Sequence, residues 1–514
     1  MQNELIFGKD PTENIISIQV EEDSLTLFMK DGTLQHRPYK HWFLTSRPGK
    51  YSIKLEGNQH FQYLNEFDLR SEYSDAKQAA YKKLRKEQIF NVYNEQEQAM
   101  LRSGITLFKG MKVQDLRILS VDIESVGLMS NETHQPIAGN KAEVFIISNA
   151  FRDETGLLTR KMFSLDEYEN SADMIRAWCE WVVKINPHVL CGHNIFSYDI
   201  PYLNYVWRKS FDYDLPLGFF GDSIKINEKS SKFRKDQSQN YEYYNITCTG
   251  RNIIDTMFLA IKYDNVAKKY NSYGLKQIIK DEGLEKVGRQ YYDASKIASN
   301  WSNFEERQRI KVYAEEDADD ALKLFDLMIA PTFYSAQMMP MSLQHIVNSA
   351  SGRQINSMMV RSYLQLNHSI ALASEKPEFQ GAISFGIPGI YSNCLKVDFS
   401  GLYPSIMREY KVFDKYKDPN NHFGSLVEYF AEFRLKYKKL FKETNDRYYD
   451  DLQTTIKVLA NSCYGFLSTN GLNYNSPDNA SFITAKGREL LNYITIWATS
   501  RDLDYWKGLI NEKS

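Results

Sequence analysis

The pattern of hydrophobic and polar positions changes along the chain and predicts more than one kind of domain. Apolar and polar residues alternate at 17–20 and 25–28, which is typical of half-buried strands, and the Asp31-Gly32 pair after them indicates a hairpin turn. A polar helical stretch is predicted at 74–97. Residues 1–110 are therefore expected to form a mixed N-terminal domain.

Residues 111–329 have the pattern of an α/β domain. Short apolar runs at 116–122, 144–148 and 188–191 indicate strands, and the period of 172–183 indicates a helix between them. Residues 222–240 are polar and rich in lysine, so we expect an exposed excursion there. Such a segment is either a solvated loop or a contact for DNA.

The last third of the chain is predicted to be mostly helical. Helical patterns fill 303–367, and part of 330–372 is expected to pack on the N-terminal domain. A strand-rich stretch is predicted at 381–399, followed by helices at 425–445 and 450–464. The fold class expected for the whole chain is α/β and α+β multidomain.

Composition and charge narrow the functional classes. A length of 514 residues is too great for one core. The net charge of −2 argues against a surface that is positively charged throughout, so a nucleic-acid enzyme would need local basic grooves. The 34 tyrosines suit base stacking, although ordinary core and surface positions explain them equally simply.

Cysteine usage and hydropathy indicate the cellular compartment. The five cysteines form no C-x-x-C pair, which argues against a zinc site and for reduced thiols. No apolar run approaches the ~18 residues that span a bilayer, and the first residues lack the form of a signal peptide. The sequence predicts a soluble, cytoplasmic protein without membrane association.

Acidic residues follow the apolar runs of the α/β region. Asp122 and Glu124 are two positions apart on a predicted strand, so both face the same side and could share divalent cations. On its own, such an acidic pair could equally well be exposed to solvent and bind no cation. Asp199 adds a carboxylate at the start of a helix, and Tyr313 and Asp317 lie four apart on one helical face.

These residues occur as Asp-x-Glu, then Asn-x-x-x-Tyr-Asp at 194–199, then Tyr-x-x-x-Asp. This order resembles the three exonuclease motifs in the proofreading domain of family B DNA polymerases. The resemblance implies an RNase H-like fold in which Tyr313 lies beside the attacking water. It also implies four ligands for Mg²⁺, with Mn²⁺ as an alternative: Asp122, Glu124, Asp199 and Asp317.

Neighbouring residues modify this picture. Tyr198 stands where the family more often has Phe. Asp255 matches an acidic position of the family, and a helix cap is one role open to it. Asp319 and Asp320 follow Asp317 closely and are expected to be exposed.

A second apolar run ends in a carboxylate at Asp398 and continues as Ser-Gly-Leu-Tyr-Pro-Ser. It resembles motif A of the polymerase domain of the same family. The resemblance implies that Asp398 binds both catalytic cations and that Leu402 and Tyr403 contact the incoming nucleotide, Tyr403 excluding a 2′-hydroxyl. Gly401 departs from the usual Ser, and little effect is expected because the backbone matters most at this position; looser positioning is the alternative.

Residues 457–465, Lys-Val-Leu-Ala-Asn-Ser-Cys-Tyr-Gly, resemble motif B. On a helix, Lys457 and Asn461 share one face, where an ammonium would meet the phosphates of a nucleotide. Arg434 and Lys438 are likewise four apart and occupy the positions at which the family grips the triphosphate. For these two residues, a solvated helix face is the plain alternative.

The resemblance covers nearly the whole chain and gives the expected domains. They are an N-terminal domain at 1–110, an exonuclease at 111–329, palm at 373–424, fingers at 425–465 and incomplete palm at 466–514. The short insert between motifs A and B favours a phage-like or viral version, acting in the cytoplasm of a host cell.

The family's third polymerase motif, Tyr-Gly-Asp-Thr-Asp-Ser, is not found in residues 466–514, and no thumb domain follows. Asp502 and Asp504 lie in a helical pattern and are poor substitutes for a hairpin. We therefore expect the chain to be the N-terminal part of a split or truncated polymerase that needs a C-terminal chain or segment for synthesis.

The predicted function is a DNA-directed DNA polymerase with a 3′–5′ proofreading exonuclease, acting by two-metal phosphoryl transfer. Its expected partners are primer–template DNA, deoxynucleoside triphosphates, the C-terminal polymerase part and a sliding clamp. One alternative is a stand-alone 3′–5′ exonuclease whose polymerase half is a relic. The other is a non-enzymatic DNA-binding or assembly subunit.

Overall fold

The computed structural model describes residues 2–130, 132–235, 239–375, 379–384, 386, 389–399 and 401–511. The mixed α/β multidomain class predicted from the sequence is confirmed. Among the helices in these ranges, not one combines the length and the apolar character needed to cross a membrane.

The N-terminal part consists of two antiparallel sheets and three helices. Its elements are α1 (Gln2–Phe7), β1 (Ile15–Val20), β2 (Ser24–Met29), β3 (Leu34–Pro38), β4 (His41–Thr45), β5 (Ile53–Lys54), β6 (Tyr63–Phe67), α2 (Arg70–Lys83), β7 (Ile89–Phe90) and α3 (Glu95–Ser103). The strand orders are β1-β2-β3 and β5-β6-β4-β7. The predicted strands and the hairpin turn at Gly32, with φ of 84°, are confirmed.

The single helical stretch predicted at 74–97 is wrong. The chain leaves α2 at Leu84 and forms β7, which pairs with β4, before α3 begins. Ile89 is buried against Phe43 and Tyr73, so burial of an apolar side chain under α2 outweighs the helical preference of the polar residues around it.

The next part is built on a five-stranded sheet. Its elements are β8 (Ile118–Ser125), β9 (Val144–Arg152), β10 (Leu158–Ser164), α4 (Ser171–Ile185), β11 (Val189–Gly192), α5 (Asp199–Arg208), β12 (Lys225–Ile226), β13 (Ser231–Arg234), β14 (Asn240–Tyr243), β15 (Ile246–Thr247), β16 (Asn252–Asp255), α6 (Thr256–Ala267), α7 (Leu275–Asp281), α8 (Ile297–Asn300) and α9 (Phe304–Met328). The order is β10-β9-β8-β11-β16, with β8 parallel to β11 and antiparallel to β9.

The excursion predicted at 222–240 is only partly exposed. It contains β12 and β13, and β13 pairs with β14 in a hairpin. Phe233 is buried and its ring stacks on Phe258 at 4.0 Å, which fastens the hairpin to α6. The lysines that suggested exposure, such as Lys225, Lys229 and Lys232, do point to solvent.

The remaining chain is helical. Its elements are α10 (Ala330–Ala336), α11 (Leu343–Asn348), α12 (Ser351–Gln365), α13 (Leu402–Glu409), α14 (His422–Thr444), α15 (Arg447–Ser468), α16 (Pro477–Thr499) and α17 (Leu503–Asn511). Helix α12 packs between α3 and α15, and Ile370 bridges to Phe61. One continuous core therefore joins the N-terminal sheets to the helices.

The strand-rich stretch predicted at 381–399 is wrong for the part of it that the structure describes. Residues 381–384, 386 and 389–399 form no strand, and the apolar Ile390, Leu395 and Val397 are exposed. The elements that follow, α13 to α17, are all helices. Because a strand needs a partner for its N–H and C=O groups, an alternating sequence alone does not produce one here.

Candidate functional site

Strand β8 places two carboxylates on one face of the five-stranded sheet. Its other residues are buried between β9 and β11, and Val121 and Ile123 point into the core. Asp122 and Glu124 alternate with them and emerge together on the opposite face. Burial of the apolar residues thus fixes the direction of both acids.

Helix α9 crosses that face and adds a third carboxylate. The Ser120 hydroxyl donates to the Ala318 carbonyl at 2.8 Å, which fastens α9 to β8. Asp317 then reaches the strand, and one oxygen each of Asp122, Glu124 and Asp317 lie within 4.8 Å of one another. We refer to these three residues as the carboxylate cluster.

Asp199 lies beside the cluster and is not a member of it. It is the first residue of α5, and its Oδ1 accepts a hydrogen bond of 3.2 Å from the backbone N–H of Ile123. The side chain is buried. The structure therefore brings three of the four predicted ligands together and holds the fourth against the backbone of the strand that carries two of them.

The electrostatics of the cluster fit a divalent cation. Burial and then repulsion by Asp317 raise the pKa of Glu124 to about 8. Burial, followed by repulsion from Asp317 and Glu124, raises the pKa of Asp122 well above its ordinary value. Carboxylates that repel one another across a few ångströms are stabilised when a cation shares their charge, and oxygen ligands suit a hard cation.

Two cations that contact Asp317 were missed by the sequence analysis. Lys276, in α7, donates to the Tyr313 hydroxyl, and its Nζ lies 3.2 Å from Asp317 Oδ2. Asp122, His193, Gly274, Lys276 and Asp317 are among the residues that line a cleft of about 270 Å³. An ammonium therefore shares this cleft with the carboxylates.

Arg289 is the second cation. Its side chain is only 2% exposed, and it pairs with Asp317, with Glu316 at 3.1 Å and with Asp320 at 3.0 Å. The expectation that Asp320 is exposed is wrong, because this pairing buries it to 1%. No periodicity marks either cation, and only the fold brings them to α9.

Asp255 and Tyr198, the latter from the second motif, have structural roles. The Asp255 side chain accepts hydrogen bonds from the N–H groups of Met257 and Asn194, both at 2.9 Å, so it caps α6 as the sequence suggested. The Tyr198 hydroxyl donates to the Gly127 carbonyl at 2.9 Å. These bonds hold the loop that precedes Asp199.

The second predicted centre is more open. Gly401 adopts a left-handed conformation, with φ of 68°, and α13 begins directly after it with the half-buried Leu402 and Tyr403. The Tyr403 ring lies 4.6 Å from that of Tyr464 on α15. Gly487 on α16 leaves room for this ring, since a Cβ there would come within 3.2 Å of it.

The predicted nucleotide-binding cations lie on the α14–α15 hairpin. Arg434 approaches the motif A turn, its Nη1 lying 3.8 Å from where a Cβ on Gly401 would be. Lys438, Lys457 and Asn461 are exposed, and within the described ranges no other side chain pairs with them. Their positions leave these groups available to an anion.

Asp398 is the least constrained of the predicted site residues. It is exposed and lies outside any strand. Within the described part of the chain, it belongs to no group of three acidic, histidine or cysteine ligands. Ser400, in the same motif, lies outside the described residues.

Comparison with protein-family models gives two matches. Residues 86–278 match the model described as DNA polymerase family B, exonuclease domain. Residues 409–508 match the model described as DNA polymerase family B. The first range contains Asp122, Glu124, Asp199 and Lys276, whereas Asp317 and Asp398 lie outside both ranges.

Relatives with curated names are DNA polymerases. The chain is 26% identical over 430 residues to a DNA polymerase delta catalytic subunit of Dictyostelium discoideum, covering 73% of this chain and 38% of that protein. It is 23% identical over 431 residues to DNA polymerase 1 of Pyrococcus abyssi, covering 77% and 52%. The chain thus spans about half the length of these relatives, or less.

A solved structure has the same fold. The family B DNA polymerase of the archaeon Pyrobaculum calidifontis superposes with a TM-score of 0.73 at 17% identity. The similarity covers 94% of this chain and 71% of the archaeal one. Both the sheet that carries the carboxylate cluster and the helices around Tyr403 thus belong to an established architecture.

Proposed function

We propose, from the premise that this chain belongs to the family B DNA polymerases, that its carboxylate cluster removes nucleotides from the 3′ end of DNA and that its C-terminal part contributes half of a polymerase site. The observation that carries the first half is the meeting of Asp122, Glu124 and Asp317 within 4.8 Å. A cleft beside them is open to solvent and large enough for a nucleotide phosphate.

The cofactor we propose is Mg²⁺, with Mn²⁺ as an alternative, held by the three clustered carboxylates together with Asp199. Raised pKa values and an all-oxygen donor set support a hard divalent cation. When bound, such cations supply activation of the attacking water and stabilisation of the departing 3′-oxygen.

The protein's own residues would then position the phosphate. Burial and the neighbouring carboxylates raise the pKa of Tyr313 well above its usual range, so the hydroxyl keeps its proton and can orient a water molecule. The Lys276 ammonium faces the same cleft and can stabilise negative charge on the phosphate. Arg289 holds Asp317 from behind and is a positioning residue.

The polymerase half of the proposal assigns roles by family membership. Asp398 would bind the catalytic cations, and Leu402 and Tyr403 would contact a deoxynucleotide. Arg434, Lys438, Lys457 and Asn461 would contact its triphosphate. The exposure of the last three groups and the turn at Gly401 support this assignment.

Synthesis needs carboxylates in addition to Asp398, because two cations require more than one acidic side chain. We propose that a further polymerase segment or chain supplies them. We also propose primer–template DNA and a sliding clamp as partners. The proposed location is the cytoplasm, that of the host cell if the protein is viral. Four of the five cysteines are buried and unpaired, which fits a reducing compartment.

A second candidate function is a stand-alone 3′–5′ exonuclease. The observation in its favour is the contrast between the organised carboxylate cluster and the exposed Asp398. In that case the α13–α16 region would serve only to grip the primer end.

A primer-extension assay tests these functions together. A 5′-labelled primer on a longer template, incubated with the chain and Mg²⁺, should shorten, and faster when its 3′ end is mispaired. Adding deoxynucleotides separates the two candidates only when a complementing polymerase segment is also supplied. An unchanged primer under all conditions would contradict the nuclease assignment.

A further inference from the structure

The N-terminal part carries a concentrated positive surface far from both predicted centres in sequence. Seven side chains form it, all of them exposed, and we call it the basic face: Arg47, Lys50, Lys54, Lys82, Lys83, Arg85 and Lys86. The segments 47–54 and 82–86 that supply them contain no Asp or Glu. A chain with a net charge of −2 therefore places seven cations in thirteen residues.

Sheet register brings these two segments together. Across the sheet, Lys54 pairs with Tyr63, Tyr63 with Thr45, and Thr45 with Ile89. Arg47 lies two residues after Thr45, and Lys86 lies three residues before Ile89. The backbone N–H of Ser46 donates to the Gln88 carbonyl at 3.0 Å, so both segments meet at the same end of the sheet.

The last turn of α2 extends the same surface. Tyr73 anchors this helix on the sheet, its ring lying 6.1 Å from that of Phe43. Lys82 and Lys83 end the helix and lead directly to Arg85 and Lys86. The cations thus come from the β4–β5 loop and β5, and from the end of α2 and the α2–β7 connection.

The charges of the basic face are almost uncompensated. Within the part of the chain that the structure describes, only Arg85 has a carboxylate within 4.0 Å, that of its neighbour Glu87 at 3.5 Å. This pair is exposed and weakly held. Positive side chains that lie close together without nearby anions repel one another. Binding of a polyanion reduces that repulsion.

Aromatic side chains border the cations. Tyr51 and Tyr93 are 78% and 76% exposed, and Tyr81, in the last turn of α2, is 38% exposed. Lys50 lies over the Tyr51 ring at 4.8 Å, and the hydroxyls of Tyr81 and Tyr93 are 3.5 Å apart. Large rings exposed beside cations suit unpaired bases, because each base offers a face for stacking.

We infer that the basic face binds single-stranded DNA, with the cations contacting phosphates and the tyrosines stacking on bases. The carboxylate cluster is built from β8 and α9, and the cleft beside it from α7, so this surface is a second DNA contact and not part of the nuclease cleft. Duplex DNA hides the faces of its bases and leaves the tyrosines without a role. The face therefore favours a strand that is already unpaired.

Fluorescence anisotropy with the full chain tests this inference. The probes are labelled oligothymidines of about 30 and about 6 nucleotides. For comparison, one OB fold, a common single-strand-binding fold, covers about 4–16 nucleotides. A metal chelator is present to prevent digestion. Affinity is measured over a range of KCl concentrations. For the long probe, Lys83→Gln/Lys86→Gln should weaken binding about tenfold and lower the salt slope by about 1.4, since each single-strand phosphate contact contributes about 0.7.

Two further variants separate the possible explanations. Lys141→Gln/Lys184→Gln removes the same charge from exposed positions elsewhere and should leave the long-probe slope unchanged. Tyr93→Leu should weaken the long probe about tenfold without changing the slope, because stacking releases no counterions. The short probe can make fewer contacts with the basic face, so these variants should weaken its binding less than that of the long probe.

Equal affinity and slope for Lys83→Gln/Lys86→Gln and its control would overturn the inference. So would binding of a duplex of about the same length as tightly as the single strand. Tenfold tighter binding of an oligouridine would show that the face binds RNA instead. Digestion of the short probe with Mg²⁺ is assayed separately, so loss of digestion with retained binding would count against the proposed nuclease function alone.

Discussion

The carboxylate cluster and the surroundings of Asp398 differ in how their residues are held. Asp122 and Glu124 lie on a strand with partners on both sides, and Asp317 lies on a helix tied to that strand. Asp398 is exposed, on a segment without a strand partner. Both sites were predicted from sequence motifs, yet only the first has carboxylates fixed against one another.

This difference shows what a site of like charges requires. Bringing three carboxylates within 4.8 Å costs electrostatic energy, which the apolar side of β8 and the cations Lys276 and Arg289 offset. Asp398 has no such support among the described residues, and it stays in water, where a single charge is easily solvated. Substitutions should therefore affect the two regions very differently.

The largest effect is expected for Asp122→Ala. Loss of one carboxylate from the cluster should slow digestion of a labelled primer by at least about 10³-fold, because metal binding and water activation both depend on it. Binding of the primer should change little. Asp398→Ala is the matched control and should digest at the wild-type rate; a comparable loss there would mean that the two regions form one site.

Arg289→Ala should destabilise the fold strongly. It leaves Glu316, Asp317 and Asp320 without their shared partner in a buried position, at a cost of about 3 kcal/mol in the free energy of unfolding. Urea denaturation measures the change. The exposed Arg408–Glu428 pair on α13 and α14 offers the contrast, and Arg408→Ala should cost less than about 1 kcal/mol.

Lys276→Met is expected to slow digestion by about 10²-fold while preserving the fold, since it removes a cation that faces the cleft. Single-turnover digestion with saturating enzyme separates this effect from weaker binding. Lys457→Met, on the exposed face of α15, should leave digestion unchanged. Equal slowing by both variants would indicate that general charge, and not position, is responsible.

The smallest effect is a pH dependence of stability without metal. Burial first of all raises the pKa of Glu124 to about 8 and that of Asp199 to about 7, whereas in the unfolded chain both lie near 4. The folded state then binds more protons, so its advantage is complete below about pH 4 and is lost as the pH rises through 7 and 8.

With a chelator present, the melting temperature should therefore fall by about 2–4 °C between pH 5.5 and pH 8. Added Mg²⁺ should reverse the trend, because its carboxylate ligands must be deprotonated. Differential scanning calorimetry of the wild type and of Glu124→Gln measures both changes. A wild-type profile that rises with pH in the chelator would contradict the raised pKa values.

Much of the nuclease region could be predicted from sequence because its decisive features are local. The two-residue spacing of Asp122 and Glu124 fixes a common face on any strand, and the four-residue spacing of Tyr313 and Asp317 does so on any helix. The position of Asp199 at a helix start was likewise readable from the chain, and it is the first residue of α5.

The remaining features depend on distant partners. Lys276 and Arg289 reach Asp317 only because α7 and the loop before α8 pack on α9. The stretch at 381–399 has the alternation of a strand but no strand to pair with among its described neighbours. The helical prediction at 74–97 failed for the converse reason, since β4 offered a partner to Ile89 and Phe90.

The hydrogen bond from Ser120 to Ala318 joins residues that are far apart in the chain, and this separation has a consequence for biosynthesis. A ribosome releases β8 long before α9, so a partly made chain holds Asp122 and Glu124 without Asp317. Contacts of such long range form late in folding. The carboxylate cluster of the nascent protein thus stays incomplete until α9 has emerged, whereas the local α14–α15 hairpin can form as soon as its two helices exist.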